Sequence, residues 1–333
     1  MWRCFGALII LTLVGVVAHA GSKKDSEKCW DGAGSDTETI EVCTRALKSS
    51  NLTKGERAQL YASRAMAYER ELRHAEAVAD LDQAIALESY EGSRLVYHGR
   101  RAFNFYMLKV YDKAIADYDL ALTRKPDDTR LLYFRGMSLL KNGDAARGFV
   151  DFDRMVALKP DDARSYIDRA EAYVARGDSG KALSDFDKAL AIKPDRDAYF
   201  GRAKVYQERG DNEKALADLT RVTEIAPTEQ GGFLLRAILH QRLGNVDLAL
   251  ADYEKLLSIA PNEQFYRDRR AELLQQKSGS TAPALPSAPN VTPPLPTAPS
   301  TPEGRPPVAA ASPVDCKVFV PAANLTVSIP CAE

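Results

Sequence analysis

The chain has 333 residues, 45% hydrophobic and 27% charged, with 45 basic residues against 46 acidic ones. It therefore has apolar mass for a large core, but its formal net charge of −1 creates no overall field for nucleic acid or an anionic lipid surface. A membrane domain and a basic nucleic-acid-binding class are both excluded on these grounds.

Residues 1–20 form a separate unit: Arg3 gives a positive start, Phe5 to Ala18 is almost wholly apolar, and Ala18-His19-Ala20 offers small residues at both positions of a cleavage site. This is the pattern of a secretory signal peptide, and the apolar run is shorter than the ~20 residues that span a bilayer. The expectation is export, periplasmic or secreted, with cleavage near Ala20 and no membrane insertion afterwards. Cys4 leaves with the signal, so Cys29, Cys43, Cys316 and Cys331 remain in two local pairs. Four cysteines allow three connectivities, of which Cys29 with Cys43 and Cys316 with Cys331 closes the shortest loops. Neither pair has metal-ligand spacing.

In the region 21–57, "SDTETIEVCTRALKS" (35–49) predicts an amphipathic helix with Ser35 or Asp36 as its cap and Ile40, Cys43, Ala46 and Leu47 on one stripe. A bridge from Cys29 would tie the preceding "CWDG" to it.

From 58 to 263 the chain repeats itself. With the prolines in register the copies are 58–91, 95–128, 129–162, 163–195, 196–229 and 230–263, the later five ending near Pro126, Pro160, Pro194, Pro227 and Pro261. In the copy at 163–195, Tyr166, Ala170 and Tyr173 and then Ala182, Phe186 and Ala189 each fall at i, i+4, i+7, so every copy predicts two helices. Gly143, Gly177, Gly210 and Gly244 stand between the halves as helix stops, followed by Asp144, Asp178, Asp211 and Asn245 as candidate caps. Two columns do not follow from apolar packing. The seventh place is Arg64, Arg101, Arg135, Arg169, Arg202 or Arg236, and the twenty-third is Asp80, Asp117, Asp151, Asp185, Asp218 or Asp252. In a helix pair that turns near the fifteenth residue these places lie at similar heights, which predicts an ion pair in each copy, worth about 0.2–1 kcal/mol where exposed.

Counted from the first residue of a copy, Tyr166, Ala170, Tyr173, Ala182, Phe186, Ala189 and Pro194 stand where the tetratricopeptide repeat has its characteristic large, small, aromatic and proline residues. The six copies together resemble that family, with departures such as His98, Gly148, Met155 and His240. The resemblance implies an all-α fold: a right-handed superhelical solenoid of antiparallel helix pairs. It also implies a concave groove for a peptide or helix of another protein, lined from the second, fifth, ninth, twelfth and thirteenth places. Here these include Phe103, Tyr106, Tyr133, Met137, Ile167, Glu171, Phe200, Lys204, Gln207 and Ile238. The lysine and asparagine with which some members hold a C-terminal carboxylate are missing: the fifth and ninth places begin Ala62/Met66 and Gly99/Phe103.

Residues 262–277 predict a capping helix with Phe265, Tyr266, Leu273 and Leu274 available to cover the last copy. Residues 278–313 hold eleven prolines, too many for a packed core, and read as a disordered, extended linker. The segment 314–333 contains "CKVFVPAANLTVSIPC", a candidate disulfide-closed hairpin.

No motif for catalysis, cofactor or metal is present: there is no G-x-S-x-G, P-loop or dinucleotide fingerprint, and the mature chain's His74, His98 and His240 lie in separate copies. The reading is a monomeric, non-enzymatic interaction scaffold without cofactor, binding a protein or peptide. A subunit whose activity needs a partner, or docking through the C-terminal segment, are the alternatives.

Overall fold

The computed structural model describes residues 23–32 and 34–279, and the backbone of 315–320 and 325–330. The signal peptide, the proline-rich linker and the Cys316 to Cys331 bridge lie outside the described residues. Helix α1 covers 23–31. It is followed by α2 (Asp36–Ala46), α3 (Lys54–Arg70), α4 (His74–Leu87), α5 (Glu91–Met107), α6 (Tyr111–Arg124), α7 (Thr129–Lys141), α8 (Ala145–Leu158), α9 (Ala163–Arg176) and α10 (Ser179–Ile192). Then come α11 (Arg196–Glu208), α12 (Asn212–Ile225), α13 (Gln230–Arg242), α14 (Val246–Ile259) and α15 (Gln264–Lys277). The chain forms two compact units, up to Asp185 and from Phe186, with the division inside α10. Within each, consecutive helices pair through short turns as the repeat predicts.

The all-α expectation holds through α15. The exception is a two-stranded antiparallel ladder, β1 (Asp315–Val320) with β2 (Leu325–Pro330), in which Cys316 stands opposite Ile329.

Helix starts are set by local chemistry. Ser35 caps α2 and Thr53 caps α3, each in a reciprocal capping box with a glutamate three residues on. The second acid of each "KPDD" is a cap: Asp128 accepts from Arg130 and Leu131 N–H, and Asp162 from Arg164 N–H. Asp144 and Asp178 also accept from backbone N–H groups, of Arg147 and Lys181. Asp211 and Asn245 make no such bond, and the Asn245 amide lies 3.4 Å from His240 Nδ1 instead. The turns of the first two copies carry Leu72 and Lys109 at φ 59° and 62°, in the conformation that glycine supplies in the later copies.

The small columns let the paired helices touch: in unit 1 Ala65, Ala77, Ala102, Ala114, Ala170 and Ala182 are fully buried. In the third copy both places are glycine. A Cβ on Gly148 would stand 2.8 Å from the Gly136 carbonyl oxygen, so α7 and α8 approach too closely for alanine, and buried Met155 fills the neighbouring core. In unit 2, a Cβ on Gly201 would meet the Phe186 ring at 2.4 Å. Tyr253, Tyr266 and Leu273 are buried together, so α15 covers the end of this unit, while Leu274 stays exposed. At the other end, Cys29 and Cys43 form a disulfide, buried with Val42, Ala46 and Leu60.

All six arginine–aspartate pairs form. In unit 1, Arg64 grips Asp80, Arg101 grips Asp117, Arg135 grips Asp151 and Arg169 grips Asp185, each through Nε and Nη2 onto both carboxylate oxygens at 2.6–2.9 Å. Arg202 with Asp218 and Arg236 with Asp252 do the same in unit 2. The aspartates are only 2–5% exposed. The surface-pair energy therefore underestimates them, since stripping one partner from a buried pair strands a charge.

Each guanidinium also has a third arm. Nη1 of Arg101, Arg135 and Arg169 reaches Asp82, Asp119 and Asp153 of the preceding copy at 2.6–2.7 Å. In unit 2, Arg202 reaches Asp187, and Arg236 reaches the hydroxyls of Thr220 and Thr223. Arg270 of α15 meets Glu254 at 2.9 Å in the corresponding arrangement. The arginine column thus ties each copy internally and to the copy before it.

Candidate functional site

In unit 1 the predicted groove residues gather around a ring the sequence reading left out, Phe134. Phe103, Tyr106 and Tyr133 meet it edge-on, with centroids at 5.1, 5.4 and 5.1 Å, and Tyr118 lies parallel to it at 6.4 Å. Phe103, Tyr106 and Tyr133 are half-buried, and Met137 packs into the Phe149 and Phe152 cluster. Ile167 has no exposed surface, so its side chain is core and offers nothing to a partner, whereas Glu171 is exposed. In unit 2, Phe200 is half-buried against Ala203 and Leu219, Ile238 packs against the Phe233 cluster, Gln207 is half-buried and Lys204 is exposed.

Two cavities open on unit 1. The first, about 210 Å³, lies between α5, α6 and α7, with Gly99, Phe103, Leu131 and Phe134 among its walls and buried Tyr118 lining it. The second, about 370 Å³, is lined by Trp30, Met66, Val96 and Tyr97 among others. Val96 and Arg100 line both, so the two cavities are neighbours. Arg100 is held by Glu69 at 2.8 Å, and Glu69 also accepts from the amide of fully buried Asn104. His74 Nδ1–H donates to the Asn104 carbonyl oxygen at 2.9 Å, closing a polar network behind the cavities.

Of the predicted groove residues, Phe103 lines the first of these two cavities and the others line neither. Trp30, Val96, Arg100, Arg130 and Tyr118 were missed. Gly99 next to bulky Phe103 was the one available signal, because a fifth place without a side chain leaves room beside the ninth. Burial holds the phenols of Tyr106, Tyr118 and Tyr133 above their ordinary pKa, so they stay protonated donors at neutral pH.

His98 Nδ1 sits 2.7 Å from Asp117, inside the Arg101 pair, and belongs to that network. Among the described residues no group of three or more histidine, cysteine or acidic side chains could hold a metal ion, and no helix is long and apolar enough to cross a membrane.

Family models described as tetratricopeptide repeat match residues 109–163 and 167–230, and again 232–263. A tetratricopeptide repeat protein from Parabacteroides merdae ATCC 43184 is similar in structure, with a TM-score of 0.60 and 20% identity over 77% of this chain and 99% of that one. PilW, a type IV pilus biogenesis factor, is similar with a TM-score of 0.52 and 21% identity over 64% of this chain and 97% of its own. At such identities the likeness concerns the fold. None of the curated proteins matches the chain.

Proposed function

Because the chain belongs to the tetratricopeptide-repeat family, we propose that it is a non-enzymatic scaffold that binds a segment of another protein along the α3, α5 and α7 face of unit 1. The observation that carries this reading is the pair of neighbouring cavities that share Val96 and Arg100 in their walls, flanked by the aromatic cluster on Phe134. A partner side chain entering either one exchanges water for apolar and aromatic surface, and the half-buried rings lose little entropy on binding. Export is part of the proposal. It is supported by the signal-like residues 1–20 and by the disulfide between Cys29 and Cys43, since such bridges persist in oxidising compartments.

The test is display selection of peptides on the immobilised full chain. Selected peptides should lose binding to a Val96→Asp/Phe103→Ala variant whose far-UV circular dichroism is unchanged. Peptides that bind this variant as tightly as the parent refute the assignment of the face.

A further inference from the structure

The first cavity carries more than a peptide groove requires. Tyr118, one of the residues lining the cavity, is 1% exposed, and its buried hydroxyl has no hydrogen-bond partner. A buried phenol without a partner is costly, and packing alone does not need it. Leu81 and Phe152 occupy the same place in the neighbouring copies and are also buried, with no hydroxyl at all, while Tyr253 at that place in the last copy carries a second buried hydroxyl without a partner.

Charge points the same way. Arg100, Arg124, Lys125 and Arg130 line the cavity against two acids, Glu69 and Asp128. Both acids are already engaged: Glu69 by Arg100 and Asn104, Asp128 by the first N–H groups of α7. The lining is thus cationic around an apolar interior, and Arg130 and Tyr118 both belong to it. Size narrows the ligand: a cavity of roughly 150 Å³ accepts benzene, so about 210 Å³ takes one ring with a small polar group. Gly99 puts no side chain into the cavity wall, and a Cβ placed there would already be in close contact with Ala121 Cβ and Leu131 Cδ2, at 3.4 Å.

We propose that this cavity is a binding site for an organic carboxylate on an apolar body the size of one aromatic ring, with the ring between Phe103, Leu131 and Phe134 and the carboxylate taking the Tyr118 hydroxyl and the Arg130 guanidinium. The apolar walls select a carboxylate over phosphate, whose greater charge costs more to remove from water. A free arylalkyl acid and an acidic side chain of a bound peptide share this chemistry. The proposal does not rest on the peptide reading, because a free acid fills the site alone.

The experiment titrates the full chain with phenylacetate, with 2-phenylethanol as its neutral counterpart, by calorimetry and ligand-observed NMR. Phenylacetate should saturate and bind about tenfold or more tighter than the alcohol, as a hydrogen-bonded charge requires. Arg130→Gln should weaken phenylacetate about tenfold and leave the alcohol unchanged. Tyr118→Phe should weaken it several-fold while the protein becomes no less stable, since only an unpartnered hydroxyl is removed. Gly99→Leu, which fills the space, should abolish binding of both with helicity retained. Two acetylated, amidated helical peptides carrying Phe with Glu or Gln one turn on separate the sources. Preference for Glu assigns the carboxylate to a partner side chain, and indifference with phenylacetate still bound assigns it to a free acid. Equal affinity for acid and alcohol, no effect of Arg130→Gln, or no saturable binding of phenylacetate would each overturn the proposal. Because phenylacetate is not a peptide, failure of the display selection leaves this result readable, and the converse holds.

Discussion

Replacing Asp151 by alanine tests whether the arginine column is a core feature or a surface decoration. Asp151 is 2% exposed and takes two bonds from Arg135, at 2.6 and 2.8 Å, while Asp119 takes one at 2.7 Å with nearly half of its side chain exposed. Stripping one member from a buried pair costs about 3–5 kcal/mol, and an exposed pair is worth about 0.2–1. Arg135 is partly exposed and keeps Asp119, so Asp151→Ala should fall at about 2–3 kcal/mol, below the full buried figure. Asp119→Ala should cost about 0.5 kcal/mol. Urea unfolding followed by far-UV circular dichroism gives the total, and hydrogen exchange in α7 and α8 shows whether the loss is local, as nearest-neighbour stability in repeats predicts. Equal costs for the two alanine variants would refute the argument, because burial would then not be what separates the carboxylates.

Other consequences are open to measurement. Burial raises the Asp168 carboxyl to about 6 despite Arg164 Nε at 2.7 Å. A carboxyl with a raised folded pKa adds stability below its unfolded value of 3.8 and loses it as pH climbs through about 6. Denaturation midpoints should therefore decline between these pH values, and Asp168→Asn should flatten the decline; an unchanged slope would rule this out. Leu72→Gly and Lys109→Gly should each raise stability by about 0.5–1 kcal/mol by relieving left-handed backbone, and a loss in both would contradict the cause. Cys29→Ser/Cys43→Ser should cost about 3 kcal/mol for a loop of this length, with exchange rising first in α1 and α2. If protection there is unaffected, the bridge is not what holds the N-terminal helices.

The sequence made the helix pairs readable because the small and large columns recur at one helical face, and the Arg135 and Asp151 columns were visible because neither residue type belongs in an apolar core. The third guanidinium arm was not legible. Asp82, Asp119 and Asp153 look like ordinary exposed charges until the following copy is stacked beside them, and the column is interrupted at Thr220 before Glu254 resumes it. The site was read in part. A fifth-place residue such as Ile167 lies where one helix meets the next, and periodicity does not distinguish a lining position from a sealed one. Tyr118 was hidden in a packing column where tyrosine, leucine and phenylalanine look interchangeable, although a tyrosine there brings a hydroxyl that needs a partner.

The joints between copies also bear on how such a chain changes length. Arg169 addresses the acid at place twenty-five of whichever copy comes before it, and Asp119 and Asp153 occupy that place alike. Excision of residues 129–162 would therefore bring Arg169 to Asp119 with the same charge chemistry, so the polar part of the seam survives recombination in units of one copy. Gly99 has no such duplicate at its place in the other copies, and a deletion that removes it together with Phe103 and Tyr118 takes the cavity with it.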